Sequence, residues 1–131
     1  MSSIFSKIIH GKISSYKIAE DEYFYSFLDI NPLSEGHTLV VSKKEVDYFF
    51  DLDDEIIAKS NVFCKKIAKA IEKTIKCKRI GIAVIGLEVP HAHIHLIPIN
   101  NVEDINFSRK KLKISDEKFK EIAKKIRSNL K

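Results

Sequence analysis

The segment that most restricts the fold is HAHIHLIPI at residues 91–99, in which histidines alternate with apolar residues. Successive side chains of a β-strand point to opposite faces, so His91, His93 and His95 are predicted to share one face while the residues between them enter the core. A sheet face that meets solvent would carry Lys, Glu or Thr, and a face that meets a core would carry Val or Ile. Because packing alone does not require histidine, this row of imidazoles indicates a functional site.

The segments around this strand predict one α+β domain over residues 1–131, built on a mainly antiparallel sheet. Ser2 or Ser3 can cap a short amino-terminal helix that ends at Gly11. The run RIGIAVIG at residues 79–86 is almost wholly apolar, so we expect it to be a central strand covered on both faces. Further strands are predicted at residues 16–20, 23–30 and 37–44, and helices at residues 53–76 and 115–130.

The net charge of +5 originates in the carboxyl-terminal segment. Residues 108–131 hold 10 Lys and Arg against 3 acidic residues, whereas residues 1–107 hold 13 against 15. The basic residues occur with the apolar stripe of an amphipathic helix, which is typical of a solvated helix face. We therefore expect neither a nucleic-acid partner nor a membrane partner.

The cysteines and the apolar segments predict a cytoplasmic protein. Cys64 and Cys77 have no CxxC spacing and no neighbouring cluster of Cys and His, so we expect thiols rather than a disulfide or a zinc site. The first residues, MSSIFSKIIHGK, lack the apolar run of a secretory signal. No uninterrupted apolar run approaches the length that spans a membrane.

Three histidines could hold zinc, but their spacing argues against a metal. Alternate residues of a strand lie about 6.6 to 6.8 Å apart, so His91 and His95 would be about 13 Å apart in a regular strand. Nitrogens that share one zinc ion must approach to about 3.5 Å, which three residues in a straight row can hardly do. No carboxylate or cysteine near them in the sequence can replace the distant ligand. We therefore expect no metal and no other cofactor.

Neutral imidazole is a good nucleophile near neutral pH, and neighbouring imidazoles can differ in protonation. Phosphorus is the natural electrophile for such a group. No Lys or Arg lies between Ile80 and Ile99, so a phosphate bound there would be held by imidazoles and backbone N–H groups. The histidine row thus favours nucleophilic chemistry on a phosphate ester or amide.

The histidine motif and three upstream segments, SIFSKII, FLDINP and GHTLVVSKKE, closely resemble the histidine triad (HIT) family of nucleotide hydrolases and transferases. The resemblance covers about residues 3–99, in the family's order and spacing. It is strongest to the branch that hydrolyses nucleoside phosphoramidates, with dinucleoside polyphosphate hydrolases as neighbours. It implies a HIT-like fold with a five-stranded sheet and a long packed helix, and it implies a homodimer.

The resemblance also implies roles for four histidines. His93 corresponds to the nucleophile that attacks the α-phosphorus and becomes nucleotidylated before water releases the nucleoside monophosphate. His95 corresponds to the residue that orients the triad, and His91 to a position beside the leaving group. His37 corresponds to the family's fourth histidine, which packs against the nucleophile.

A purine nucleotide or a nucleotide conjugate is the implied partner. Asp29 corresponds to the acidic residue that hydrogen-bonds the ribose hydroxyls. A short apolar helix and an aromatic strand could together form a face for a flat ring. The residues that correspond to the apolar slot for the base are Ile4, Phe5, Ile8, Phe27 and Ile30.

The loop before the triad departs from the family pattern. It reads VIGLEVPHAH and lacks the usual Asn and Gly-Gln pair that contact phosphate. Glu88 and Val89 stand where the family has a Ser or Thr and an apolar residue with phosphate-facing N–H groups. Glu88 either donates a proton to the leaving group or points outward and leaves the phosphate to the main chain. Two alternatives to the enzyme stay open: a nucleotide-binding or signalling module with little turnover, and a metal-dependent hydrolase.

Overall fold

The computed structural model describes residues 2–130 and contains one five-stranded antiparallel sheet with helices on both faces. The strand order is β1-β2-β3-β5-β4, so β5 lies between β3 and β4. The predicted α+β class and five-stranded sheet are confirmed. The elements are α1 (Ile4–Ile9), β1 (Lys17–Glu20), β2 (Phe24–Leu28), β3 (Thr38–Ser42), α2 (Asp54–Thr74), β4 (Arg79–Ala83), β5 (His93–Ile99) and α3 (Asp116–Ser128), with 3-10 turns at Phe49–Asp51 and Val102–Asp104.

Side-chain alternation along the strands gives the sheet two different faces. On one face, Val40 and Ile94 join the main core beneath α2 and α3. On the opposite face, Leu39 and Val41 join a smaller apolar cluster with residues of α1. Register places Val41 opposite His93 in β5 and Leu39 opposite His95, so these two histidines lie on the α1 face.

The helix ends follow the capping signals of the sequence. Ser3 caps α1, because its side chain accepts a hydrogen bond from the backbone N–H of Ser6. Ser115 caps α3 in the same way through Lys118. Among residues 2–130, no helix combines the length and the apolar character needed to cross a bilayer.

Two strand predictions are wrong in position. The run at residues 79–86 is not central: β4 is an edge strand that pairs only with β5, ends at Ala83 and leaves Ile82 53% exposed. Its apolar composition predicted cover along the whole run, but Ile80 alone of these isoleucines packs against the main core, and Ile82 and Ile85 are exposed. In addition, β5 begins at His93, so His91 precedes the strand rather than extending its histidine face.

Gly36 sets the entry to β3 and thus the position of His37. Its φ of +88° is a conformation that favours glycine. A Cβ at this residue would lie 2.8 Å from Cγ1 of Ile75 and 3.3 Å from Cγ of Pro98. The close approach of α2 and β5 therefore requires glycine just before the buried histidine.

Candidate active site

A cavity of about 710 Å³ opens on the α1 face of the sheet, at the ends of β2, β3 and β5. Eleven of the twelve residues predicted for the site border it, and His91 is the exception. The bordering residues of the predicted set are Ile4, Phe5, Ile8, Phe27, Asp29, Ile30, His37, Glu88, Val89, His93 and His95.

The hydrogen bond of His93 defines which ring nitrogen is available for chemistry. Nδ1 of His93 lies 2.7 Å from the backbone carbonyl oxygen of His91. A carbonyl oxygen only accepts hydrogen bonds, so Nδ1 carries the proton and Nε2 of the neutral ring keeps its lone pair. His93 is thus held in the tautomer that a nucleophilic imidazole requires.

His37 and His95 form a second hydrogen-bonded chain with a defined direction. The backbone N–H of Leu33 donates to Nδ1 of His37 at 3.0 Å, so the proton of the neutral His37 ring is on Nε2. That nitrogen lies 3.0 Å from Nδ1 of His95 and donates a hydrogen bond to it. His95 then carries its own proton on Nε2, and its ring lies 5.0 Å from the ring of His93, centroid to centroid. The chain leaves His95 as a hydrogen-bond donor beside the nucleophile candidate.

Asp29 lies close to this chain, so the fold supplies a carboxylate that the sequence next to the triad lacks. Its Oδ2 is 3.5 Å from Nε2 of His37, and its Oδ1 accepts a hydrogen bond from the backbone N–H of Asn31 at 2.8 Å. Together with His95, these groups offer three potential metal-ligand atoms within 4.8 Å of one another. A metal on His37 would need the lone pair of Nε2. The Leu33 N–H donates to Nδ1, so the proton of the neutral ring is on Nε2 and opposes metal binding there. The observed hydrogen bonds therefore favour proton chemistry over ligation.

His91 occupies a closed position beneath the site. It is fully buried, with Nε2 2.6 Å from the carbonyl oxygen of Ser42 and Nδ1 2.6 Å from Oγ of Ser3. Both ring nitrogens are thus engaged within the protein. His91 does not border the cavity, although residues 85–89 before it and His93 after it do, so the structure does not place it beside a leaving group.

The apolar slot is formed by aromatic side chains from α1 and β2. The ring of Phe5 meets the ring of Phe27 edge-on at 5.6 Å and that of His93 at 5.0 Å, centroid to centroid. Ile4 and Ile30 are exposed at the mouth of the cavity. The slot therefore runs from solvent to His93 and is lined by the faces and edges of rings that suit a flat ligand.

The loop before the triad borders the cavity along residues 85–89, which include the predicted residues Glu88 and Val89. Glu88 is exposed and borders the cavity. Val89 packs against the apolar cluster of the α1 face, and its carbonyl oxygen accepts a hydrogen bond from the His91 N–H at 2.8 Å. A carboxylate at the mouth rather than in the interior leaves both alternatives for Glu88 open.

Two cavity residues come from the segment after β5, where no motif pointed to them. The ring of Phe107 lies 4.8 Å from that of His95, centroid to centroid. Lys111 also borders the cavity, and its Nζ donates to the carbonyl oxygens of Phe107 and Arg109. The backbone N–H of Leu112 donates to the carbonyl oxygen of Pro32 at 2.9 Å, which fixes the segment beside Asp29. The only feature of the sequence that could have indicated this part of the cavity is Phe107, a single aromatic residue in the polar stretch NFSRK.

Burial changes the protonation of the site. It lowers the pKa of His37 to about 3 and that of His95 to about 4, and nearby imidazoles add to both shifts. Burial also lowers the pKa of His93, which keeps the ring neutral at neutral pH. It raises the pKa of Asp29 to about 6, against the hydrogen bond from Asn31. The site thus favours neutral groups, as an unprotonated nucleophile requires.

These shifts predict that acid destabilises the fold. His37 and His95 bind protons near pH 6.5 in the unfolded chain but only below about pH 4 in the folded protein. As the pH falls through this window, protons bind the unfolded chain more tightly, so the free energy of unfolding decreases. Asp29 acts in the opposite direction below its folded pKa of about 6, but one carboxylate offsets only part of the effect of two histidines. We expect the free energy of unfolding to fall by about 1–3 kcal/mol between pH 7 and pH 5, measured by urea denaturation. A constant or increasing value would contradict the assigned shifts.

Comparison with known proteins finds relatives of similar sequence and fold. The HIT domain family matches residues 10–102. An uncharacterized HIT-like protein of Borreliella burgdorferi is 38% identical in an alignment of 135 positions that covers 97% of each chain. An adenosine 5′-monophosphoramidase of Schizosaccharomyces pombe is 35% identical in an alignment of 133 positions that covers 100% of each chain. Among solved structures, a Hit-like protein from Bartonella henselae superposes with a TM-score of 0.85 at 32% identity, covering 98% of this chain and 96% of that one.

Proposed function

Because the chain belongs to the HIT family, we propose that it releases a nucleoside 5′-monophosphate from an amine or phosphate leaving group through a covalent intermediate on His93. The observation that carries this proposal is the unprotonated Nε2 of His93, a residue on the wall of a cavity of about 710 Å³. The similarity to an adenosine 5′-monophosphoramidase supports an amine as one class of leaving group.

The reaction takes two displacements at phosphorus. Nε2 of His93 attacks the α-phosphorus, an N–P bond forms, and the bond to the leaving group breaks with its electron pair. The leaving group takes up a proton, for which Glu88 is the candidate donor at the cavity mouth. Water then attacks the same phosphorus and gives its proton to the Glu88 carboxylate, and the N–P bond breaks. The free nucleotide is released, and His93 and the Glu88 acid return to their starting forms. The Nε2–H of His95 is suited to stabilise negative charge on the phosphoryl oxygens.

Recognition of the nucleotide is assigned to the rest of the cavity. Asp29 accepts hydrogen bonds from the ribose hydroxyls, since its carboxylate borders the cavity and is fixed by Asn31. Phe5 and Phe27 enclose the base in the apolar slot, with Ile8 behind them and Ile4 and Ile30 at the mouth. A purine offers the larger flat surface for such a slot.

The direct test is release of AMP from adenosine phosphoramidate and from a diadenosine polyphosphate. We expect turnover of at least one of them by the wild-type protein, with a transient protein-bound nucleotide detected by mass spectrometry after acid-free quenching. Binding of AMP without turnover of either compound would instead favour the nucleotide-binding module. The replacement of the family's phosphate-contacting loop residues by Glu88 and Val89 is the observation that keeps this second candidate.

A metal-dependent hydrolase is a separate alternative, and the cluster of Asp29, His37 and His95 is the observation that favours it. Metal analysis of the purified protein and assays after chelation distinguish it from covalent catalysis. We expect the activity to survive chelation, because the proton on Nε2 of His37 opposes ligation.

We also propose that the protein is a homodimer joined along β4. This edge strand exposes Ile82, and residues Val84 and Ile85 that follow it are exposed as well. An uncovered apolar edge has unpaired backbone groups and invites pairing with another strand. Pairing of β4 with its symmetry copy would extend the sheet across a two-fold axis and bury these side chains.

A charge on this edge is expected to prevent dimer formation. The variant Ile82→Lys should sediment as a monomer at concentrations where the wild type is a dimer, because two lysines would meet near the two-fold axis. The matched control is Val102→Lys, in the exposed 3-10 turn after β5, which should leave the dimer intact. A monomeric wild type in sedimentation equilibrium would refute the proposed interface.

A further inference from the structure

Four side chains form a hydrogen-bonded cluster beneath the cavity: Ser3, Ser6, Glu45 and His91, here called the clasp. Oε1 of Glu45 accepts hydrogen bonds from the backbone N–H of Ser3 at 2.9 Å and from Oγ of Ser6. Oγ of Ser3 lies 2.6 Å from Nδ1 of His91. The clasp therefore joins the start of α1 to the segments that follow β3 and precede β5.

The direction of the hydrogen bonds in the clasp is defined by its backbone partners. The carbonyl oxygen of Ser42 accepts from Nε2–H of His91, which leaves Nδ1 of the neutral ring as an acceptor. Oγ–H of Ser3 donates to that Nδ1, while its oxygen accepts from the backbone N–H of Ser6. Both the N-cap of α1 and the ring of His91 thus depend on one hydroxyl.

The clasp reaches His93 through the backbone of His91. The carbonyl oxygen of His91 accepts the Nδ1–H of His93, and this hydrogen bond fixes the tautomer with an unprotonated Nε2. Any displacement of His91 therefore changes the acceptor that holds His93. The hydroxyl of Ser3 is two hydrogen bonds and one short backbone segment away from the reacting ring.

The same cluster also fixes the wall of the apolar slot. Helix α1 has only six residues, a length that is not stable without tertiary contacts. Its residue Phe5 contacts the rings of His91 and His93, with centroid distances of 5.8 and 5.0 Å. Glu45 and Ser3 thus determine where this wall stands relative to the nucleophile candidate.

The charge of Glu45 strengthens the hydrogen bonds that its carboxylate accepts from Ser3 and Ser6. The hydrogen bonds from Ser6 and Ser3 lower the pKa of its carboxyl group, so the ionised acceptor is maintained at neutral pH. A carboxylate oxygen that accepts two hydrogen bonds is a stronger anchor than a neutral acceptor.

We infer that Ser3 and Glu45 are positioning residues that hold the base-binding wall and the His93 ring as one unit, an inference that rests on the proposed role of His93. Neither residue borders the cavity, so neither touches the substrate. They act through His91. The buried side chain of His91 then serves to hold His93 in place rather than to contact the leaving group.

The test compares clasp variants with matched controls. We expect Ser3→Ala and Glu45→Ala to lower kcat about tenfold or more and to raise KM for adenosine phosphoramidate, because small displacements of reacting groups have large effects on rate. Ser3→Thr keeps the hydroxyl and should stay close to wild type. Glu45→Gln keeps an acceptor oxygen without the charge, so its kcat should lie between those of the wild type and Glu45→Ala. Ser115→Ala removes the equivalent N-cap of α3, and Glu22→Ala removes an exposed carboxylate elsewhere; both should leave kcat and KM unchanged.

A second readout separates positioning from stability and from the proposed function. Nitrogen NMR of the His93 ring should show a proton on Nδ1 in the wild type and a mixture of tautomers in Ser3→Ala and Glu45→Ala. This measurement needs no substrate, so it decides on the clasp even if the wild type releases no AMP, an outcome that would refute only the proposed function. If Ser3→Ala does not fold, Glu45→Ala decides in the same way. Unchanged kinetics together with an unchanged tautomer would overturn the inference.

Discussion

Replacement of His93 by alanine is expected to lower AMP release from adenosine phosphoramidate by at least about 1,000-fold. The other nitrogen groups that could form an N–P bond, on His37, His95 and Lys111, are engaged in hydrogen bonds within the protein. His37 and His95 engage each other, and burial keeps both rings neutral. His91 does not reach the cavity. The variant should retain affinity for AMP, since Asp29 and the aromatic slot remain in place.

The control is His10→Ala, which removes an exposed histidine at the end of α1. It should keep the wild-type rate. Steady-state kinetics, together with mass spectrometry of the quenched protein, measure both the rate and the covalent nucleotide. If His93→Ala and wild type turn over at the same rate, the nucleophile has been assigned to the wrong residue.

Replacement of Ile67 by alanine is expected to reduce the free energy of unfolding by about 2–5 kcal/mol, the range for deletion of a fully buried aliphatic group. Ile67 has no exposed surface and lies in α2 at the centre of the core shared with the sheet and α3. The loss combines the transfer free energy of the removed carbons with the cavity that the packed core cannot close.

The matched control lies on the same helix. Val62 is 72% exposed, so Val62→Ala should change the free energy of unfolding by no more than about 0.5 kcal/mol. Urea denaturation of both variants and the wild type at one protein concentration provides the comparison. A loss below about 1 kcal/mol for Ile67→Ala would show that the core repacks around the missing atoms.

Local patterns predicted most of the elements that carry the site. The alternation in HAHIHLIPI gave the correct face for His93 and His95 because a strand has a period of two. The predicted helix at residues 53–76 corresponds to α2 at Asp54–Thr74, since its apolar stripe and its terminal charges agree with one another. The distant residues Asp29 and His37 were found through the resemblance, not through any periodicity.

The features that sequence patterns missed depend on long-range contacts. An apolar run indicates that a strand is buried by other elements, but it does not indicate the position of the strand in the sheet. For this reason β4 was expected at the centre, whereas it lies at the edge. The alternation of histidines does not report where pairing begins, so His91 was expected on the cavity face. Phe107 and Lys111 belong to a segment without regular structure, for which neither period nor capping signals give a position.

The segment with Phe107 and Lys111 lies beyond residue 102, where the match to the family ends. One wall of the cavity is thus formed by a segment that lies outside the family's shared motifs. Substitutions at Phe107 and Lys111 are therefore expected to change the shape and charge of this wall and to leave the histidine motif unchanged. Diversity of substrates within such proteins should therefore follow the sequence after β5 more closely than the triad itself.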